Sequence, residues 1–275
     1  MAKLIYIGGY GHSGSTLLES LLAESPEVLA CGEVTSCVRA GARKGGRKCS
    51  CGREAYACPV WYFFYASNPP DGWTHAKLLS ALMQRWSARY AGIVDSSKTA
   101  WGSLTAPFRL KQQFGRDFVL VHLMRNPAAA SWSVLKQKKR RAGREGRRLR
   151  FLPLRSAWTA VGWGVANLAC ELFGLVYPRN YVRIRYEDLA GAAEEERGRL
   201  LQLLLPPGDP RNQSAANDNR HQLHGNKVRM RHLTVADVRE DQAWRQDMPP
   251  DYARIVLAIS WPLRLRYGYA ERARR

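Results

Sequence analysis

At 275 residues the chain can bury one good core, so a single domain carrying a loose insertion is expected rather than two independent domains. Its 43 lysines and arginines against 23 aspartates and glutamates give a formal net charge of +20, which points to an anionic partner: nucleic acid, an acidic membrane or an acidic glycan. No apolar run of about 18 residues stands in the sequence, so no membrane span is expected; the N-terminus shows no signal-peptide pattern, which places the chain in the cytoplasm.

The first predicted element is a short, apolar, β-prone strand over 4–7, and the apolar spacing of 16–22 is that of a buried helix. Between them lies a loop with four glycines and three hydroxyl residues. Such a strand–loop–helix turn aims backbone N–H groups and the positive end of a helix at one point, where a phosphate can sit. The spacing nearly fits a P-loop, Gly9-x-x-x-x-Gly14 followed by Ser15-Thr16. However, Ser15 stands where a nucleotide triphosphatase carries the lysine that reaches the β- and γ-phosphates. The loop can hold a phosphate but is poorly equipped for Mg-triphosphate. A tight turn without a ligand is the plainer reading.

A short strand follows over 28–30, then an irregular Cys/Gly-rich insertion around 36–72. Within it, Cys37, Cys49, Cys51 and Cys58 add up to a four-thiolate zinc set, although C-x-C is a less usual spacing than C-x-x-C. Reduced thiols packing an acceptor-side loop are the favoured reading over zinc, because cytosolic disulfides are uncommon, and Cys31 and Cys170 read as buried small apolar residues. Next come a helix over 74–90, a strand over 93–95, a further helix, a fully buried strand over 118–124 and a long helix. His122, in mid-strand, reads as a satisfied core histidine. The long helix runs into 136–150, which holds nine positive residues and is read either as a solvated helix end and loop or as a mobile anion-binding flap. A strand over 181–185, a surface helix over 192–199 and a loop over 206–220 complete the order. Strands alternating with helices argue for an α/β fold, a P-loop-like parallel sheet covered by helices on both faces. Ligands then gather at the carboxyl ends of the strands, where the glycine-rich loop stands.

Two segments carry a family resemblance. Gly11 is followed by His12-Ser13-Gly14-Ser15-Thr16, which resembles the 5′-phosphosulfate loop of sulfotransferases. The strand over 118–124 leads into Arg125-Asn126-Pro127, with Ser133 eight residues after the arginine. This resembles the family's grip on the 3′-phosphate of 3′-phosphoadenosine 5′-phosphosulfate (PAPS). An always-charged fork suits a phosphate dianion, and Pro127 suits the first turn of a helix carrying Ser133. Further along, Asp95-Ser96-Ser97-Lys98, Arg185-Tyr186-Glu187-Asp188-Leu189 and Gly225-Asn226-Lys227-Val228-Arg229 are similar to later elements of bacterial members. The resemblance covers most of the chain and leans toward the carbohydrate and tyrosylprotein branch. It implies the sulfotransferase fold, with Tyr186, Asn226 and Arg229 joining the loop, Arg125 and Ser133 around the nucleotide. Trp163 and Asn167 resemble a helix of the family, but core packing accounts for the tryptophan.

The resemblance also implies a chemistry: a sulfuryl group passes from PAPS to a hydroxyl of a glycan, lipid or phenol, leaving adenosine 3′,5′-bisphosphate (PAP), with no metal required. Sulfuryl transfer needs an in-line acceptor oxygen, a base for its proton and positive charge on the bridging oxygen. Cys31-Gly32-Glu33 resembles the segment whose glutamate is the base, and Lys98 takes the place of the charge stabiliser. His12 stands where the family has lysine or arginine, so its charge depends on pH near neutrality, and it is an alternative base. The acceptor is expected to be anionic or hydroxylated; a peripheral membrane contact and the oligomeric state are left open. Two rivals stand beside this reading. A P-loop small-molecule kinase is opposed by Ser15, and a basic nucleic-acid-binding protein rests on charge alone, without a recognised nucleic-acid motif.

Overall fold

The computed structural model describes residues 2–40, 47–66, 72–99, 103–146, 152–205, 219–231 and 233–269. β1 (Lys3–Gly8) leads through the glycine-rich loop into α1 (Ser15–Leu22), and β2 (Val28–Ala30) precedes α2 (Val34–Ala40). The short α3 (Tyr62–Ala66) and α4 (His75–Trp86) bring the chain to β3 (Gly92–Asp95). Then follow α5 (Ala106–Phe114), β4 (Phe118–Met124), α6 (Pro127–Arg144), α7 (Leu152–Val176) and β5 (Tyr181–Arg185). Helices α8 (Tyr186–Gly191), α9 (Ala193–Leu204), α10 (Trp244–Asp247), α11 (Pro250–Ile259) and α12 (Trp261–Arg266) complete it.

The five strands are all parallel, in the order β2-β3-β1-β4-β5. Alternate side chains of β1 feed opposite layers, as the two-residue period of a strand requires. Leu4 and Tyr6 pack with α2, α4, α5 and α7 residues such as Val34, Leu79, Leu110 and Phe173. Ile5 and Ile7 pack with Leu18 and Leu21 of α1 and with Leu189, Leu200 and Leu204 beyond β5. Burial on both faces is why β1 and β4 read as nearly continuous apolar runs. The connection direction reverses at β1: the chain leaves it toward β2 and β3 on one side and later reaches β4 on the other. A crevice therefore opens at the carboxyl ends of β1 and β4.

Three expectations need revision. The basic run over 136–150, expected as a helix end followed by a basic loop or flap, stays helical to Arg144; 147–150 lie outside the described residues. Lys, Arg, Gln and Ala are good helix formers, and Asn126 caps the helix by accepting from Ala128 and Ala129 N–H at 2.9 and 3.3 Å. The insertion is not loose over its described stretch: Trp61 and Phe64 are among the largest fully buried side chains. A membrane-length helix also exists. α7, with 25 residues, is long and apolar enough by composition to cross a bilayer, yet it packs against α6, α11 and the sheet and buries Asn167 and Glu171. An apolar stripe including Leu154, Trp158, Leu168, Leu172 and Leu175 remains exposed on it.

Candidate active site

Two glycines seat the loop after β1. At Gly9 (φ +119°) a Cβ would lie 2.3 Å from the carbonyl oxygen of Leu123, so only glycine lets the loop cross the end of β4. At Gly14 (φ +95°), the N-cap of α1, a Cβ would lie 2.6 Å from the ring of Tyr186. Between them Ser13 is buried, and its hydroxyl has no hydrogen-bond partner among the described residues. Ser15 and Thr16 open α1 and line the cleft.

Across the crevice β4 ends in Arg125-Asn126-Pro127, with Pro127 at the first turn of α6. The Arg125 guanidinium is 6% exposed and lies 4.3 Å from the Tyr186 ring centroid. It donates from Nη1 to His12 O, and from Nη2 to the carbonyl and carboxylate of Asp241, each at 3.1 Å. Its Nε has no partner among the described residues. Buried donors left unsatisfied beside a cleft fit an anionic ligand.

His12 (φ +65°) meets α6: Nδ1 lies 2.9 Å from Ser133 Oγ and Nε2 lies 3.2 Å from Gln137 Oε1. Burial, then the charge of Lys98, pushes its imidazole below the ordinary value, so it is neutral at pH 7. With Gln137 Oε1 accepting, Nε2 carries the proton and Nδ1 accepts from the Ser133 hydroxyl. The fixed positive charge that lysine or arginine would supply here is lacking.

Lys98, also left-handed (φ +67°), forms an ion pair with Glu33. Its backbone is pinned, because its carbonyl accepts from Tyr6 OH at 2.5 Å. Upstream, buried Asp95 accepts from Val34 N at 3.2 Å and from His75 Nε2 at 2.6 Å, locking the loop onto the start of α2. Glu33 accepts from Ser36 Oγ at 3.1 Å through its other oxygen. On the far wall Asn226 N donates to Thr16 Oγ1 at 3.4 Å.

These groups enclose a cleft of about 620 Å³. Gly11, His12, Gly14, Ser15, Thr16, Glu33, Lys98, Arg125, Ser133, Tyr186 and Asn226 all line it. Ser13 lies just beneath. Arg229 is not brought in: its buried guanidinium turns away, donating to Leu223 O at 3.3 Å and Lys48 O at 3.2 Å. His122 is the core histidine expected, fully buried between Tyr181 OH (2.7 Å) and Asn167 Oδ1 (2.8 Å). Trp163 braces the site from behind, its Nε1 donating to Arg125 O at 3.0 Å.

Sequence reading missed Asp241, Gln137 and Glu19. Glu19 is fully buried under the cleft floor, accepting from Gly32 N (2.6 Å), Ser96 Oγ (2.7 Å) and Gln222 Nε2 (2.8 Å). Burial lifts its carboxyl to about 7 against those bonds. An acid among the leucines of α1 was the visible signal. Cys37 also departs from expectation: it stands apart from a cluster formed by Cys49, Cys51, Cys58 and His221.

No family model matches the chain, and no curated protein matches it either. Solved structures do. A sulfotransferase domain from the curacin biosynthetic pathway superposes with a TM-score of 0.61 at 17% identity, covering 94% of this chain and 98% of that one. A sulfotransferase domain from the olefin synthase of Synechococcus PCC 7002 gives 0.59 at 16% identity, covering 94% of each. The α/β architecture described above is the sulfotransferase fold.

Proposed function

We propose that this protein is a cytoplasmic sulfotransferase that takes the sulfuryl group of PAPS and transfers it to a hydroxyl of a glycan, lipid or phenol. One observation carries the reading. The glycine-rich loop, the Arg125 guanidinium that donates to it at His12 O, and the Lys98–Glu33 pair all line one cleft. A donor with phosphates at two ends suits this layout: the 5′-phosphosulfate on the loop and α1 N-terminus, the 3′-phosphate against Arg125 and Ser133. Leu17, Val228, Leu233 and Val238 add apolar lining for a flat base.

The acceptor oxygen attacks sulfur as the bond to the bridging oxygen breaks, and the electron pair leaves on the 5′-phosphate of PAP. Glu33 takes the acceptor proton. Lys98 swings from Glu33 toward the bridging oxygen, which frees the carboxylate and stabilises the departing charge in one movement. Neutral His12 holds Ser133 and Gln137 through its two ring nitrogens and supplies no fixed charge. The residues themselves demand no metal for this step.

The kinase alternative has less to stand on, because Ser15 replaces the P-loop lysine and the cleft acids Glu33, Asp237 and Asp241 are engaged by Lys98, Thr234 and Arg125. No nucleic-acid partner is proposed. Labelled donor offered with glycans, lipid headgroups and phenols tests the reaction: label should move to one class and PAP should accumulate in equal amount. Thermal stabilisation by ATP-Mg or a DNA oligonucleotide, with none by PAP, would favour the rivals.

A further inference from the structure

Three thiols and one imidazole converge outside the cleft, and the proposed reaction uses none of them. The ligand atoms of Cys49, Cys51, Cys58 and His221 all lie within 4.8 Å of one another. Cys58 Sγ stands 3.7 Å from Cys49 Sγ, 3.8 Å from Cys51 Sγ and 3.2 Å from His221 Nδ1. A tetrahedron built on Zn–S bonds of about 2.3 Å has edges of about 3.8 Å. The sulfurs are thus spaced as ligands of one ion, and none is in a disulfide.

The backbone around them is built to hold thiolates. Cys49 to Gly52 form a tight turn, closed by Gly52 N donating to Cys49 O at 2.9 Å and Cys49 N donating to Arg53 O at 2.8 Å. The Cys58 carbonyl accepts from Trp61 N at 3.1 Å and Tyr62 N at 2.7 Å, which fixes the backbone that carries the third sulfur. Three soft thiolates and an imidazole, with no open oxygen position, form a closed four-ligand set.

We propose that Cys49, Cys51, Cys58 and His221 bind one structural zinc ion. Binding forms three Zn–S bonds and one Zn–N bond through His221 Nδ1, releases three thiol protons to solvent and changes no oxidation state.

The ion would fasten three remote segments: the turn at Cys49, the start of α3, and the strand-like stretch 219–224. That last stretch runs beside β2, with His221 N donating to Ala30 O at 2.8 Å. Trp61 Nε1 donates to His221 O at 2.5 Å, and Ser50 Oγ donates to Arg220 O at 2.7 Å. Immediately beyond lie Gly225 and Asn226, which line the cleft. Arg229 reaches back to Lys48 O, so the residue expected on the nucleotide instead braces the metal-bearing turn. The role is architectural: zinc would set the position of one cleft wall without touching the moving group, whatever that group is.

The test uses the full chain expressed in zinc-supplemented medium and purified without chelator. Metal analysis should find one zinc per chain. Replacement by Co²⁺ should give a thiolate-to-cobalt charge-transfer band of three-thiolate intensity. Cys51→Ser, at the least buried ligand, should cut that band to about two thirds, while Cys37→Ser should leave both zinc content and band unchanged. Chelation of wild type should lower the melting temperature, with Zn²⁺ but not Mg²⁺ restoring it; this readout does not depend on a variant folding. Zinc-free protein from that medium, or a disulfide among these cysteines in freshly purified protein, overturns the proposal. Loss of zinc in Cys37→Ser with retention in His221→Ala overturns this ligand set.

Discussion

The Arg125 guanidinium and the Asp241 carboxylate, 116 positions apart, form an ion pair at 3.1 Å across the mouth of the cleft. Burial works to raise Asp241, but the hydrogen bond and charge of Arg125 outweigh it and hold the carboxyl below its ordinary value. Asp241 is therefore an anion at neutral pH, on the fork assigned to the 3′-phosphate.

A carboxylate and a phosphate compete for one guanidinium. Asp241→Asn removes the internal competitor and should tighten PAP binding by up to about fivefold, since a pair whose acid is 48% exposed is worth only about 1 kcal/mol. Competition with a fluorescent bisphosphate reads this directly. Weaker binding in Asp241→Asn would make Asp241 a partner of the ligand instead.

The Lys98–Glu33 pair predicts a division of labour. Glu33→Gln should keep PAP affinity and lose roughly a hundredfold or more in turnover, as expected for a general base. Lys98→Ala should also lose turnover, most severely with acceptors whose oxygen attacks late. His12→Ala should weaken donor binding through Ser133 and leave measurable turnover. Abolition of turnover in His12→Ala, with Glu33→Gln near normal, exchanges the roles.

Two buried groups should tilt stability with pH in opposite directions. Burial depresses His122 from 6.5 to about 4, so the unfolded chain takes up its proton first and stability is lost as pH falls through that window. The full effect is on the order of 3 kcal/mol. Glu19 is raised from 4.5 to about 7, so the unfolded chain ionises first and stability is lost as pH rises through that window. Urea unfolding between pH 4.5 and 8 should therefore show an improved alkaline limb in Glu19→Gln and a flattened acid limb in His122→Leu. Slopes identical to wild type in both variants would remove the assignment.

The basic end of α6 predicts a salt-sensitive acceptor. Ser133 and Gln137 face His12, and Arg140, Arg141 and Arg144 continue that helical face. Lys138, Lys139, Arg140 and Arg141 are exposed. Replacing these four with alanine should raise the KM of an anionic acceptor, spare kcat and flatten its salt dependence. An unchanged KM at low ionic strength leaves the segment as a solvated helix end.

Much of this was legible in the chain. Strand β4 lies where the apolar run over 118–124 ends at Arg125-Asn126-Pro127, because a strand buried on both faces writes its own boundaries. The loop from Gly9 to Thr16 was equally plain, since its glycines and hydroxyls stand between an apolar strand and an apolar helix, although the clashes that require Gly9 and Gly14 come from distant Leu123 and Tyr186. What stayed hidden depends on distant chain. His221 meets Cys58 across 163 positions, Asp241 reaches Arg125 from a segment without a motif, and Arg229 carries its motif but turns toward Lys48. Where α6 ends within its basic run was not legible, because helix propensity and the Asn126 cap sustain it as far as Arg144.

Calorimetry with PAP tests most directly whether this cleft is a PAPS site. Wild type should bind PAP well and ATP-Mg far more weakly, and Arg125→Ala should lose about 2–4 kcal/mol of PAP binding because a charge-assisted fork is removed. Equal PAP affinity in Arg125→Ala and wild type, or tighter binding of ATP-Mg than of PAP, would contradict it.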